Sequence, residues 1–409
     1  MGLAAELAWR GVVQDHSAPL EELLEREPRT FYVGFDPTAD SLHVGNLLGI
    51  VTARRLMLAG HQAILVAGGA TGMIGDPSGR SSERVLLDPD TLAHNTAAIA
   101  RQLERLLGGS GSGGPIIVDN REWLEPLTLI SFLRDVGKHV SVATMLGRES
   151  VRSRLGGEGL SFTEFTYMIL QAVDFWQLYR RFGCTLQLGG SDQWGNIAAG
   201  IDLVRRLEGA EVHGLTWPLV TKADGTKFGK SVGGNVWLDS ERTSPFELYQ
   251  FFVRAEDAKV LEYLRFYTFL GSDELAEHEA AHARDPGARV SHERLAWEVV
   301  RFVHGEEEAT KAREASHALF RQGRPDAGAP TVSVPRAVLE AGLDVVELAL
   351  LAGVAPSRSA ARRLVAQGGL YVAGRRVGDG ERIGLGDLED GALLVRRGKR
   401  DWVIVRVEG

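Results

Sequence analysis

Hydrophobic positions in the first half of the chain follow two alternating rhythms. Short apolar runs of strand length occur at Phe31–Phe35, His61–Ala67, Pro115–Asp119 and Thr185–Leu188. Between them lie stretches with helical spacing. His43–Leu58 carries Val44, Leu47, Leu48, Val51 and Leu56, and Leu87–Leu107, Thr163–Phe182 and Asn196–Leu207 follow. Strands alternating with helices of this length predict an α/β fold, a parallel sheet with helices on both faces. The opening MGLAAELAWRGVVQD has Glu6 and Arg10 inside its apolar stretch, which predicts an amphipathic helix rather than a signal peptide.

After Thr243 the strand rhythm stops. Pro245–Arg254, Asp257–Phe269, Asp273–Ala281, Val290–Val303 and Glu306–Phe320 all predict helices, an all-α block. The stretch RQGRPDAGAPTVSVP reads as a linker. Two short helices, Val345–Leu351 and Arg358–Gln367, open the last block. Strand-like pieces at Leu370–Val372, Arg375–Val377 and Val403–Val407 close it.

The 409 residues, 44% hydrophobic, suffice for two or three domains. The single cysteine, Cys184, excludes an intrachain disulfide and fits a reducing compartment. No apolar run reaches the roughly 18 residues of a membrane span, so none is expected. The net charge of −8 conceals an asymmetry. Leu351–Gly409 holds 11 Lys+Arg against 7 Asp+Glu, whereas the remainder holds 35 against 47. A basic tail on an acidic body suits contact with phosphates at one end, although scattered surface charge would look the same.

Five segments carry candidate chemistry. Tyr32–Asn46 (YVGFDPTADSLHVGN) runs from strand through a tight loop to a helix start. There His43 and Asn46 share one face and free N–H groups suit phosphate, unless Ser41 merely caps the helix. Gly68–Arg80 (GGATGMIGDPSGR) is either a backbone cradle, with Asp76 available to an ammonium group, or an ordinary glycine-rich turn. Tyr167, Gln171 and Asp174 line up on one helix face, as a ligand site or as a solvated stripe. Gln187–Asn196 (QLGGSDQWGN) places an acidic residue where a ribose could bind, or where a turn needs a cap. Lys227-Phe228-Gly229-Lys230-Ser231 can hold a polyphosphate, or be an exposed basic loop.

In this order the five segments resemble the class I aminoacyl-tRNA synthetases, and in detail the bacterial tyrosyl type. His43-Val44-Gly45-Asn46 is similar to the first class signature, with Asn46 in place of the second histidine. Lys227–Ser231 is similar to the second signature. The resemblance implies a Rossmann-like catalytic domain over 1–235, an α-helical anticodon-region domain over 236–322, a linker over 323–340 and an S4-like RNA-binding α+β domain over 341–409. It implies ATP with Mg²⁺, L-tyrosine and tRNA(Tyr) as substrates and a homodimer in the cytoplasm, with no structural metal, membrane or DNA partner.

By position, the resemblance gives Tyr32 and Asp174 the phenol of tyrosine. Asp76, Tyr167 and Gln171 take its amino group, and Gln193 its carboxylate. Gly34, Asp36, Gly45, Gly190 and Asp192 fall around ATP. Thr38, His43, Asn46, Lys227, Lys230 and Ser231 handle its phosphates. Arg80 and Arg84 belong to a basic loop, and Arg358, Arg362, Arg363, Arg375 and Arg376 face RNA. Three rivals remain: a tryptophan enzyme, a small-molecule nucleotidyltransferase, and a non-catalytic RNA-binding protein on the same scaffold. Tyr32 with Asp174 argues against the first, because an indole offers only a donor.

Overall fold

A computed structural model describes every residue except 79–86, 109–112, 149–150, 153–158, 232–233, 322–330, 389–390, 399–400 and 409. The chain divides into two compact units, Met1–Thr243 with Ala255–Leu295, and Ser244–Arg254 with Ala296–Gly409. The helical block expected over 236–322 is therefore shared between them.

The first unit is built on strands β1 (Thr30–Phe35), β2 (Gln62–Ala67), β3 (Ile116–Asp119), β4 (Cys184–Gly190) and β5 (His213–Trp217). All pair in parallel, in the order β3-β2-β1-β4-β5. Helices Val44–Leu58, Pro89–Leu107, Phe162–Phe182 and Trp194–Glu208 alternate with the strands. Local chemistry sets their ends. Ser161 accepts from the Glu164 N–H at 3.2 Å to start the third, and Gly183, at φ 65°, ends it in the left-handed region. The chain grows outward from β1 through β2 to β3, then returns to the other side of β1 as β4. The carboxyl ends of β1 and β4 thus flank a topological switch point, where such sheets open a crevice. Strand β5, HGLTW, was not expected, because its apolar content is too low to show as a run.

A two-stranded hairpin follows, β6 (Lys230–Ser231) with β7 (Gly234–Asn235). Helices Val260–Tyr267 and Ser272–Arg284 also belong to this unit.

In the second unit, helix Pro245–Val253 packs on helix Glu306–Arg321, and Gln250 Nε2 donates to Ser316 Oγ at 2.9 Å. Strands β8 (Thr331–Pro335), β9 (Leu343–Asp344), β10 (Leu370–Val372), β11 (Arg375–Arg376), β12 (Arg382–Ile383), β13 (Ala392–Arg397) and β14 (Asp401–Glu408) follow. Five form a sheet in the order β11-β10-β13-β14-β8, and β9 pairs with β12. This corrects the expected linker: residues 331–335 are strand β8, parallel to β14, and Arg336–Glu340 is a helical turn. The reason is the period-two pattern of Val332 and Val334, which the Gly- and Pro-rich stretch before it obscured. Residues 322–330 of that linker lie outside the described residues. Leu348, Ala361, Val365, Leu370, Val372, Leu393, Val395 and Val405 form the core.

Candidate active site

Asp174 is buried on helix Phe162–Phe182. Trp123 Nε1 donates to its Oδ1 at 2.7 Å and Asn120 Nδ2 to its Oδ2 at 3.0 Å. Burial pushes the Asp174 carboxyl up to about 7, against the pull of these two hydrogen bonds, and the charges of Asp36 and Asp119 add to the rise. Tyr32, on β1, lies edge-on to Phe175, with ring centroids 5.3 Å apart. Its hydroxyl is buried without a hydrogen-bond partner among the described residues. Burial first, and the charge of Asp174 second, raise that phenol well above its ordinary value. A buried hydroxyl left unpaired beside a carboxylate is costly unless a ligand completes it.

A second network adjoins the first. Asn120 Nδ2 also donates to Thr71 Oγ1 at 3.0 Å, and Asn120 Oδ1 accepts from the Ala70 N–H at 2.8 Å. Thr71 donates to one oxygen of Asp36 and the Tyr167 hydroxyl to the other, both at 2.9 Å. Asp36, which the resemblance assigned to ATP, is thus linked through Thr71 and Asn120 to Asp174. Gln193 Nε2 donates to Asp76 at 2.6 Å, while Asn196 donates to Gln171 at 3.0 Å and to Gln193 at 3.2 Å. Burial first, and then the charges of Asp36, Asp76 and Asp174, raise the Tyr167 phenol well above its ordinary value.

The residues expected to handle phosphates cluster at the start of helix Val44–Leu58. His43, not Ser41, is the N-cap: the His43 N–H donates to Asn46 Oδ1 at 3.0 Å, whereas Ser41 Oγ turns to the Leu42 carbonyl. The imidazole lies so close over Gly45 that a Cβ there would stand 2.8 Å from it. The lysine loop comes to the same place. Gly229 sits against the Gly45 backbone at φ 110°, a conformation that only glycine adopts readily. The Val44 N–H donates to the Val236 carbonyl at 2.8 Å and the Val236 N–H to the Gly229 carbonyl at 3.1 Å, so both signatures share one hydrogen-bonded frame. Across the crevice, burial and then Asp76 raise the Asp192 carboxyl, and the nearby Lys227 ammonium lowers it. Gly34 is exposed at the end of β1, and Gly190 backs onto Asp192. Thr38 is exposed on the connecting loop, its N–H bonded to the Asp36 carbonyl at 2.9 Å.

The side chains of Lys230 and Ser231, and all of Arg80 and Arg84, lie outside the described residues. Asn120, Trp123, Thr71 and Asn196 were missed from sequence. Position alone could have found Asn120, which directly follows the carboxyl end of β3. In the basic tail, Arg362 and Arg363 are exposed on helix Arg358–Ala366, which Ser357 caps. The other expected RNA contacts are partly engaged: Arg358 pairs with Glu347 at 2.8 Å, Arg375 with Glu381 and Asp387, and Arg376 with the Gln367 carbonyl. Among the described residues no cluster of three or more His, Cys, Asp or Glu is placed to hold a metal, and no helix is long and apolar enough to cross a membrane.

Fold and site together define the class of α/β proteins with a doubly wound parallel sheet, whose polar residues gather at the switch point where such folds bind ligands. Comparison with known proteins narrows this class. The family of class I tRNA synthetases (W and Y) matches residues 24–321, and the SYY-like C-terminal domain of tyrosine–tRNA ligases matches residues 327–405. The chain is 48% identical to the tyrosine–tRNA ligase of Roseiflexus castenholzii over 98% of each chain. It is 47% identical to that of Bacillus caldotenax, over 99% of this chain and 100% of the relative. A C-terminally truncated mitochondrial tyrosyl-tRNA synthetase of Aspergillus nidulans matches with a TM-score of 0.70 at 33% identity, covering 78% of this chain and 94% of that one. The chain belongs to the class I tRNA synthetases, within the family of the tyrosine–tRNA ligases.

Proposed function

We propose that the chain activates L-tyrosine with ATP and then transfers the tyrosyl group to the 3′ end of tRNA(Tyr). The observation that carries this reading is the buried Tyr32 hydroxyl beside Asp174, whose carboxylate is already oriented by Trp123 and Asn120. A substrate phenol has both a donor and an acceptor and satisfies the pair; an indole or a phenyl ring does not. The substrate carboxylate is the nucleophile. It forms a bond to the α-phosphorus of ATP, and the bond from that phosphorus to pyrophosphate breaks. The protein therefore positions two anions and offsets growing negative charge, with no covalent intermediate on a side chain. Asp76, Tyr167, Gln171 and Gln193 receive the ammonium and carboxylate. Thr38, His43, Asn46 and the hairpin of Lys227, Lys230 and Ser231 take the phosphates. Mg²⁺ arrives with ATP, held mainly by its phosphates.

Two further elements complete the reading. Leu129, Ile130, Leu133, Val142, Leu146 and Phe162 are all exposed, Phe162 at 78%, and this apolar surface fits a homodimer interface in a cytoplasmic enzyme. Arg362 and Arg363 offer charge to the tRNA backbone. ATP–pyrophosphate exchange over the twenty amino acids tests the assignment: only tyrosine should support rapid exchange, and exchange driven by tryptophan instead would overturn it.

A further inference from the structure

The lysine hairpin is held from behind by a helix outside both signatures. Phe228 packs against Tyr263, with ring centroids 4.3 Å apart and planes tilted by 36°, and lies 6.2 Å from Tyr267. Both tyrosines belong to helix Val260–Tyr267 and both are buried. The Tyr263 hydroxyl donates to the Thr221 carbonyl at 2.8 Å, where Thr221 and Lys227 pair across the base of the loop. One side chain thus holds the loop at two points, the packed ring fixing its height and the hydroxyl its register.

That helix is itself pinned to the first signature. Arg55 Nη2 donates to the carbonyls of Arg265, Phe266 and Thr268 at 3.1, 3.1 and 2.7 Å. Arg10 adds bonds to the carbonyls of Arg265 at 3.2 Å, Thr268 at 3.3 Å and Leu270 at 2.6 Å. Two guanidinium groups so cover the negative end of the helix dipole. Arg55 stands in the last turn of the same helix whose first turn carries Gly45 and Asn46. Signature helix and lysine hairpin are therefore joined twice: in front by Gly45 against Gly229, and behind through Arg55, helix Val260–Tyr267 and Tyr263. A closed loop of contacts of this kind fixes a distance better than either link alone.

We propose that Tyr263 is a positioning residue for tyrosine activation. It sets the place of the hairpin bearing Lys227 and Lys230 relative to His43, and Arg55 fixes the helix that carries it. The proposal rests on the reading of that hairpin as the phosphate-handling element. Charge stabilisation in a phosphoryl transition state depends steeply on placement, and a displacement of about 1 Å can cost roughly a hundredfold in rate. The tyrosine pocket, built on β1, β3 and helix Phe162–Phe182, does not use Tyr263.

The test separates the two readings. Tyrosine-dependent ATP–pyrophosphate exchange by the unaltered protein comes first; its absence would count against the assignment of function, whatever Tyr263 does. Single-turnover adenylate formation is then measured for Tyr263→Phe and Tyr263→Leu, with the tyrosine Kd from equilibrium dialysis. Tyr263→Leu should lower the maximal rate, or raise the ATP requirement, by about 10- to 100-fold. Tyr263→Phe, which keeps the ring, should lose only about threefold. The tyrosine Kd should stay within about twofold in both. Combining Tyr263→Leu with Phe228→Leu should cost no more than the larger single loss, since both act through one contact. An unchanged rate in Tyr263→Leu, a Kd that weakens in step with the rate, or losses that multiply would each overturn the proposal. If Tyr263→Leu does not fold, the same split between rate and Kd in Tyr263→Phe decides.

Discussion

Replacing Asp174 by alanine tests the pocket chemistry most directly, because two opposing terms can be weighed in advance. The carboxylate accepts from Trp123 and Asn120, so truncation strands two buried donors at about 1–3 kcal/mol each. Against this stands the relief of a carboxyl whose folded pKa is raised from 3.8 to about 7. Such a group is favourable to folding below pH 3.8 relative to higher pH, and that advantage is lost as pH rises toward 7. Above pH 7 the buried charge costs on the order of 4 kcal/mol, which alanine removes. The terms nearly cancel, so Asp174→Ala should remain folded at pH 8 with stability changed by no more than about 2 kcal/mol. Catalysis will not be spared. The phenol loses a hydrogen bond to a charged acceptor, about 1.5–3 kcal/mol, or roughly 10- to 150-fold in kcat/KM for tyrosine. Phenylalanine has no hydroxyl to lose and no longer strands the carboxylate, so its kcat/KM should hold or rise. ATP–pyrophosphate exchange with both amino acids measures the ratio. A selectivity that survives intact, or rates for both that fall in parallel, would refute the reasoning.

Four other outcomes follow. Tyrosine binding favours ionised Asp174, so affinity should weaken as pH falls through about 7, by at most about tenfold per pH unit, and Asp174→Asn should flatten the profile; dialysis from about pH 5.5 to 8 would contradict this if affinity rose on acidification. Gly45→Ala forces the His43 ring aside and should slow single-turnover activation by about 10- to 100-fold, with the tyrosine Kd unchanged. Phe162→Glu should convert a dimer to monomers in sedimentation, and an unaltered mass would clear that surface of the role. Arg362→Ala with Arg363→Ala should raise the KM for tRNA and flatten its salt dependence by about two counterions, leaving pyrophosphate exchange intact.

The catalytic fold was legible because its signals are local. Buried parallel strands show as unbroken apolar runs, and the helices between them carry both their face pattern and their stop residues. The Tyr167–Gln171–Asp174 stripe was legible for the same reason, since offsets of four and three fix a helix face without tertiary knowledge. Asn120 and Trp123 were not, because their role exists only once β3 lies beside β2 and brings them to Asp174. Arg55 reads in sequence only as one of two adjacent arginines in a helix; folding shows it buried, with its pKa lowered to about 9 by burial and by Arg10. Strand β8 was lost to a composition argument, because the Val332–Val334 alternation sits behind a Gly- and Pro-rich stretch and its partner lies some seventy positions later.

That pairing also orders events at synthesis. In the tail sheet β14 lies between β13 and β8, with Ile404 opposite Thr331 and Val407 opposite Val334. Until β14 emerges from the ribosome, β8 has no neighbour and β13 has an open edge, so this sheet cannot close. A chain ending shortly before residue 401 would lack β14 and hold an unfinished sheet with two open edges, at β8 and β13, an invitation to proteases.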